Sequence, residues 1–396
     1  MKAERYNTMR ILMLAWEFPP KVVGGLARHV DELSAALVRA GHEVHVVTAN
    51  ADNAPEFEVF KGIKVHRVKT FRTEHLNFID EIYNLNFGLL EHSIKLMKEE
   101  YFDFIHAHDW LVANAAITLK RAFNTPIITT IHATEYGRWS GIHNELQNYI
   151  HSSEWLLNYE SIGTIVCSYY MKNELQNIFG LPSDKIFVLP NGVEAEKFDI
   201  DFDQWNFRRR FAYDHEKIVM SVGRMVPEKG FQVLADASLR VLQNYDNVRF
   251  IIAGKGGMLD SLRARVERMG ISHKVWFAGY MSDEDLNKLF IVSDVAVFPS
   301  LYEPFGITAI EGMAAGTPIV VSEAGGLGEI VDHGYTGIKT YTGNSDSLAW
   351  GILELLYNPD YAHAIRDNAF NKVKNVFNWD IIAADTTRVY NYLLSK

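Results

Sequence analysis

Short apolar runs alternate with stretches of helical periodicity along almost the whole chain. Residues 11–15 form one such run, and Leu26, Val30, Leu33, Leu37 and Val38 then recur at the spacing of an amphipathic helix. Runs at 44–47, 102–106, 126–131, 164–167 and 186–189 read as further strands, with helices over 113–122 and 146–159. Runs this short suit strands covered on both faces. Parallel strands need a long crossover, which a helix fills. The alternation therefore restricts the chain to an α/β architecture with helices on both faces of a parallel sheet.

The rhythm breaks at the Pro190-Asn191-Gly192 turn, and 194–210 is polar and irregular. A second series follows, with strands expected at 218–222, 248–253, 275–278, 295–298 and 319–322. The expectation is two Rossmann-like, doubly wound domains facing a central cleft. The first covers 1–195, the second 196–378, and a C-terminal amphipathic helix over 379–396 packs back onto the first. Ligands of open α/β sheets gather beyond the carboxyl ends of the strands, so the loops there are the ones to inspect.

Composition narrows the classes. The chain has 396 residues, enough for two or three full cores, and carries 39 basic against 49 acidic residues, a net charge of −10. A phosphate-backbone binder needs a positive field, so nucleic acid is not an expected partner. The single cysteine, Cys167, allows neither an intrachain disulfide nor a cysteine metal cluster and fits a cytoplasmic setting. No apolar run has transmembrane length, and MKAERYNTMR lacks the apolar core of a signal peptide. The first eight residues read as a short lead before Met9. Lys95, Lys98, Lys120 and Arg121 are scattered, so membrane association is not expected; self-association stays open.

The densest chemistry lies in Ser300 to Ala314, SLYEPFGITAIEGMA. A strand at 295–298 runs into a loop with Pro304 and Gly306, then a helix begins at Ile307. A helix N-terminus offers unpaired N–H groups and partial positive charge to a phosphate. Glu303 and Glu311 flank it, eight positions apart, and can take hydroxyls. An anion cradle between two hydroxyl-binding carboxylates suits a nucleotide sugar. Arg224 and Lys229 follow the first strand of the second series, where they either neutralise a diphosphate or are solvated surface charges. Gly24 and Gly25, between the first strand and first helix, let the backbone approach a phosphate or simply turn the chain.

Other features carry weaker expectations. His132 ends a strand and, from the residues alone, reads as a partly buried imidazole. His106, His108 and Asp109 lie in HAHDW, where the two imidazoles share a strand face but no further metal ligand is evident. The pairs Asp201/Asp203 and Asp283/Asp285 read as solvated or helix-capping groups, with Ser282 as a cap. Gly254, Gly256 and Gly257 imitate a dinucleotide fingerprint with the third glycine misplaced. Trp155 and Tyr159, at helical spacing, read as core.

The motifs EFPPKVVGGLA, HAHDW, TIHATEYGR, LPNGV, VGRMVPEKG, AGKG and EPFGITAIEGMAAGTPIV together resemble the retaining GT-B glycosyltransferases of family 4, close to the glycogen and starch synthases. Glu303 and Glu311 match that family's E-x7-E motif. The resemblance implies that Gly24 and Gly25 approach the donor diphosphate and that Arg224 and Lys229 bind it. It implies that Glu303 holds the donor sugar, that Gly306, Ile307 and Thr308 offer backbone N–H groups, and that Glu311 binds the ribose. His132 would contact the transferred sugar near its 6-hydroxyl, and His108 and Asp109 would line the acceptor side. No metal or other cofactor would be needed. The implied reaction moves glucose from ADP- or UDP-glucose to the end of an α-1,4-glucan, with a small or lipid-linked acceptor such as a sugar phosphate as the alternative. An epimerase, a pyridoxal-dependent phosphorylase and a silent sugar-binding protein are competing classes; the intact Arg224, Lys229 and Glu303 argue against the last.

Overall fold

The computed structural model describes residues 8–70, 74 and 77–396. Of the expected lead, residues 1–7 lie outside the described residues. The chain divides into two compact units: unit 1 runs to Asn191 and takes in Trp379–Lys396, and unit 2 is Gly192–Asn378. The first boundary thus falls within the Pro-Asn-Gly turn.

Unit 1 holds eight strands: β1 (Arg10–Leu14), β2 (Glu43–Ala49), β3 (Phe57–Phe60), β4 (Ile63–Val68), β5 (Phe104–His108), β6 (Ile127–Ile131), β7 (Gly163–Val166) and β8 (Ile186–Val188). They form one sheet in the order β3-β4-β2-β1-β5-β6-β7-β8. The pairs are parallel except β3 with β4. The β3–β4 hairpin and the helix Phe78–Glu99 were not among the expected elements, and the hairpin adds an antiparallel edge to a sheet expected to be parallel. Its cause is local. Lys61 and Gly62 both adopt positive φ, 52° and 82°, which makes a two-residue turn that only antiparallel neighbours can use. Phe57–Phe60 is mostly exposed, so it gives no buried apolar run to read.

Unit 2 holds six parallel strands in the order β11-β10-β9-β12-β13-β14. They are β9 (Lys217–Val222), β10 (Val248–Ala253), β11 (Val275–Gly279), β12 (Val295–Phe298), β13 (Ile319–Ser322) and β14 (Ile338–Thr340). Both sheets are doubly wound. In each, the first strand lies inside the order, with later strands added on either side. The reversal falls between β1 and β5 in unit 1 and between β9 and β12 in unit 2. A crevice opens at the carboxyl ends of such a pair.

The helix Glu145–Glu160 corrects one expectation. Trp155 and Tyr159 are 42% and 63% exposed, not core. Four-residue spacing does put them on one helix face, but the buried face carries Gln147, Ile150, Glu154, Leu157 and Asn158. The region 194–210 is more ordered than its polarity suggests: it holds a short 3₁₀ turn, Ala195–Phe198, and the helix Gln204–Arg208, which Asp203 caps. Ser282 likewise caps Asp283–Val292. Among the described residues, no helix is long and apolar enough to cross a membrane.

The helix Trp379–Leu394 belongs to unit 1 and packs on Gly25–Arg39. Trp379, Ile382, Ala383 and Tyr390 join the core of β1, β2 and β5, and the Tyr390 hydroxyl lies 2.8 Å from His106 Nδ1. Trp379 Nε1 donates to Glu32 at 2.5 Å. Truncating so large a buried ring loses its burial and leaves a cavity, at a cost of about 3–5 kcal/mol. Trp379→Ala is therefore expected to shift the urea unfolding midpoint of unit 1 strongly downward; an unchanged midpoint would show that this helix is dispensable to it.

Candidate active site

In unit 1 the side chains gather beyond β1, β5 and β6. His106 and His108 sit at alternate positions of β5, so their rings share a face, with centroids 4.3 Å apart. His106 is a satisfied core residue: Nε2 meets Thr130 Oγ1 at 2.8 Å, and Nδ1 meets Tyr390. His108 is fully buried, with Nδ1 3.2 Å from His132 Nε2 and the two rings nearly parallel at 22°. It therefore supports His132 from behind.

His29, which the sequence reading passed over, completes the group. It comes from Gly25–Arg39, and its ring lies 4.6 Å from that of His132 and 5.5 Å from that of His108. Its Nδ1 is 2.6 Å from Asn191 Oδ1, an acceptor only, so Nδ1 carries the proton and Nε2 the lone pair. Nε2 of His29 and Nε2 of His108 are buried without a hydrogen-bond partner among the described residues. One ring nitrogen from each of His29, His108 and His132 lies within 4.8 Å of the others, so HAHDW does acquire two further imidazoles that spacing alone could not reveal. By donor type and spacing such a set suits a transition metal or a hydroxyl-bearing ligand.

Burial sets the charge of this group. It holds His29, His106 and His108 well below the usual imidazole range, with neighbouring imidazoles adding to the effect. His132 falls to about 3 through burial, then through the nearby Arg138. Asp109 moves the other way, to about 6, because burial outweighs the His132 amide and Arg138. Its Oδ1 accepts the His132 backbone N–H at 2.7 Å, and its own N–H donates to Thr130 at 3.0 Å. Asp109 has φ 60° and ψ 172°, a strained conformation for a residue with a side chain, and these two bonds hold it there. Behind it, Glu154 accepts the Glu135 N–H at 2.9 Å, and burial raises its carboxyl well above the usual range.

The Gly24-Gly25 turn precedes Gly25–Arg39, and the chain arranges its anion site there internally. Glu17, 2% exposed, accepts the Val23 N–H at 2.5 Å and the Ala27 N–H at 3.2 Å, and the Gly24 amide also bonds to it. An incoming anion at this turn would compete with Glu17, another residue that the sequence reading did not single out.

In unit 2 the expected residues collect at the β9/β12 reversal. Lys229 Nζ lies 2.6 Å from Glu303 Oε2, which also accepts from Ser300 Oγ at 3.1 Å. The N–H groups of Leu301 and Tyr302 donate to the Glu228 carbonyl, binding the loop after β9 to the loop after β12. Arg224 is half-exposed, 3.7 Å from Glu228. The Gly254–Gly257 loop braces it from below: Met225 N–H donates to the Lys255 carbonyl at 2.8 Å, and Met258 N–H to the Met225 carbonyl at 3.0 Å.

Gly306 opens the helix Ile307–Ala314 at φ 115°, and no side chain caps that helix. The positive φ demands glycine, and a Cβ at 306 would also displace the end of the Leu327 side chain, 2.5 Å away. The amides of Ile307 and Thr308 lie in the first turn, where no intrahelical acceptor exists. Glu311 is buried within this helix and paired at 2.6 Å with Lys197 of the 3₁₀ turn. Lys197 is 114 positions away, and nothing in its local sequence marks it as a partner.

Residues 23–197 match the family described as Glycosyltransferase Family 4, and residues 203–372 that described as Glycosyl transferases group 1. An uncharacterized glycosyltransferase of Methanocaldococcus jannaschii is 40% identical over 390 residues, covering 96% of this chain and 98% of that one. A glycogen synthase of Mycobacterium tuberculosis is 35% identical over 399 residues, covering 96% and 94%. The solved sucrose-phosphate synthase from Thermosynechococcus elongatus superposes with a TM-score of 0.82 at 23% identity, covering 98% and 99%. Two Rossmann-like α/β domains with these sheets make the fold that of the GT-B glycosyltransferases. The chain belongs to glycosyltransferase family 4 and, within it, is glycogen synthase-like.

The neutral histidines make stability depend on pH. Unfolded, each imidazole binds a proton near pH 6.5; folded, His29, His106, His108 and His132 refuse it until far lower pH. The unfolded state then binds more protons, and each histidine withdraws stability as the pH falls below about 6.5. Asp109 and Glu154 work oppositely, since their raised carboxyls keep protons in the folded state. Glu17 adds a third raised carboxyl, and His42, His45, His66, His92 and His151 are lowered as well, so the histidines outnumber the carboxyls and leave a net loss on acidification. Thermal melts are expected to fall steeply between pH 6.5 and pH 5; a flat profile there would mean that the imidazoles are charged or solvated.

Proposed function

We propose that this glycosyltransferase moves glucose, with retention, from ADP- or UDP-glucose to the non-reducing end of an α-1,4-glucan. The observation that carries this reading is the Lys229–Glu303 pair beside the uncapped helix Ile307–Ala314, at the carboxyl ends of two reversing strands. The glycogen synthase relative supports the choice of acceptor.

In this reading unit 2 takes the donor. The amides of Ile307 and Thr308, Arg224 and Lys229 bind the diphosphate. Lys229 Nζ has three donors, so it serves Glu303 and a phosphate oxygen together. Glu303 binds hydroxyls of the transferred glucose, and Glu311 those of the ribose. The bond from the anomeric carbon to the diphosphate oxygen breaks, and charge develops on that oxygen. Fixed cations and a helix N-terminus stabilise it without reorganising. The acceptor hydroxyl attacks from the same face and passes its proton to the departing phosphate oxygen. In unit 1, His132, neutral, accepts a hydrogen bond from a sugar hydroxyl, His29 and His108 set its ring, and Asp109 fixes its backbone. No residue is assigned to hold a metal.

The decisive experiment incubates the protein with ADP-glucose and UDP-glucose, with and without glycogen, maltooligosaccharides and sugar phosphates. Products are identified by mass and anomeric configuration. Growth of the glucan by α-linked glucose is expected; transfer only to a sugar phosphate would replace the acceptor. Arg224→Ala and Lys229→Ala are each expected to lower kcat by two to three orders of magnitude, about 3–4 kcal/mol. Near-normal turnover would remove that residue from the mechanism. Transfer should survive dialysis against a chelator. Loss restored by Zn²⁺ would instead assign His29, His108 and His132 to a metal.

A further inference from the structure

Away from these clusters, the helices Glu135–Trp139, Glu145–Glu160 and Tyr169–Phe179 of unit 1 border an open cavity of about 520 Å³, a volume typical of small-molecule sites. Its wall carries Tyr136, His151, Tyr170, Asn173, Glu174 and Asn177. Asn173 and Asn177 are one helical turn apart, as are Tyr170 and Glu174, so each pair presents one face. Amides that both donate and accept, a carboxylate that accepts, and two partly exposed tyrosine rings match a neutral ligand with many hydroxyls and apolar C–H faces.

The cavity wall offers no fixed positive charge to an anion. No lysine or arginine lines the cavity, and Glu145–Glu160 contains Glu145, Glu154 and Glu160 with no basic residue. Beside the platform, Lys120 and Arg121 are paired with Glu160, and Lys185 donates to the Tyr159 carbonyl, so these cations are already engaged. Burial shifts His151 below the usual imidazole range.

The cavity continues along a stripe. His151, Trp155 and Tyr159 fall at four-residue steps on one helix face. The rings of Trp155 and Tyr159 stack at 5.2 Å and 17° while both stay exposed. Two stacked rings left in water form a platform, and the stripe from 151 to 159 rises about 12 Å along the helix axis. At the cavity's other side Glu174 accepts from Thr134 Oγ1 at 2.5 Å, and Thr134 stands two residues beyond His132. The cavity wall is thus tied to the loop that carries the sugar-contacting histidine.

We propose that this cavity and the Trp155–Tyr159 platform bind an oligosaccharide segment of the acceptor, remote from its reacting end. The identity of that segment as α-glucan rests on the function proposed above; the preference for a neutral saccharide rests on the cavity itself.

The test uses the full chain and measures binding and transfer separately. Maltoheptaose binding is read by calorimetry without donor, and initial rates are taken with maltotriose and with glycogen. Tyr170→Ala, Asn177→Ala and Trp155→Ala are compared with the parent, and thermal melts check folding. Each is expected to weaken maltoheptaose about tenfold and to raise the KM for glycogen similarly, leaving kcat and the maltotriose kinetics within about twofold. Folded variants that bind maltoheptaose like the parent overturn the proposal, whether or not transfer occurs. So does a parent that binds no maltoheptaose. Binding lost in the variants, with no transfer to any glucan, sinks the function and keeps the site as a saccharide site. Flotation with anionic vesicles that Trp155→Ala abolishes would reassign the face to a membrane and overturn the proposal as well.

Discussion

Parallel strands cannot be joined by tight turns, and this constraint governs both units. Every connection must cross a sheet face and return with the same hand. A chain that builds outward from an inner strand must therefore reverse direction once, and the connections on either side of the reversal leave by opposite faces. The gap lies at β1/β5 and at β9/β12. Glu17 and Gly24 follow β1, Asp109 follows β5, Arg224 and Lys229 follow β9, and Glu303 and Gly306 follow β12. His132 stands one strand further out, after β6. Crossover geometry thus gathers residues that are far apart in sequence.

The two clusters differ in their electrostatics. In unit 2 each carboxylate of the Ser300–Ala314 segment meets a lysine at 2.6 Å, Glu303 with Lys229 and Glu311 with Lys197. Desolvating such pairs costs free energy that their mutual attraction repays only with good geometry. Here the fixed loops after β9 and β12 and the 3₁₀ turn supply that geometry. In unit 1 burial wins over charge: four imidazoles stay neutral, and Asp109 and Glu154 resist ionisation. An ion-paired cluster beside the open amides of a helix N-terminus suits an anion, and neutral imidazoles suit hydroxyls. The contrast agrees with the division of donor and acceptor proposed for the two units.

Legibility followed the range of the interaction. The Gly306 turn, the strand before it and the helix after it were readable because glycine, apolar run and helical periodicity are local signals. So was the cap Ser282, whose side chain accepts a bond from three residues ahead. Lys197, His29 and Asn191 were not, since each meets its partner only after the chain has folded, and a lone lysine or histidine looks the same either way. Trp155 and Tyr159 show the limit of periodicity. Their spacing stated that they share a face, but their exposure depends on what packs against the opposite one.

The order of apolar runs and helical repeats determined by itself that two doubly wound sheets would form, because strand length, crossover handedness and burial on both faces leave few other solutions. The same local chemistry marked Arg224, Lys229, Glu303, Gly306 and Glu311 as a group. Tertiary structure alone decided which cation faces which carboxylate, that His29 and Asn191 complete the imidazole cluster, and that an aromatic stripe stays in water. Those outcomes depend on distances between elements tens to hundreds of residues apart, and no local propensity encodes such distances.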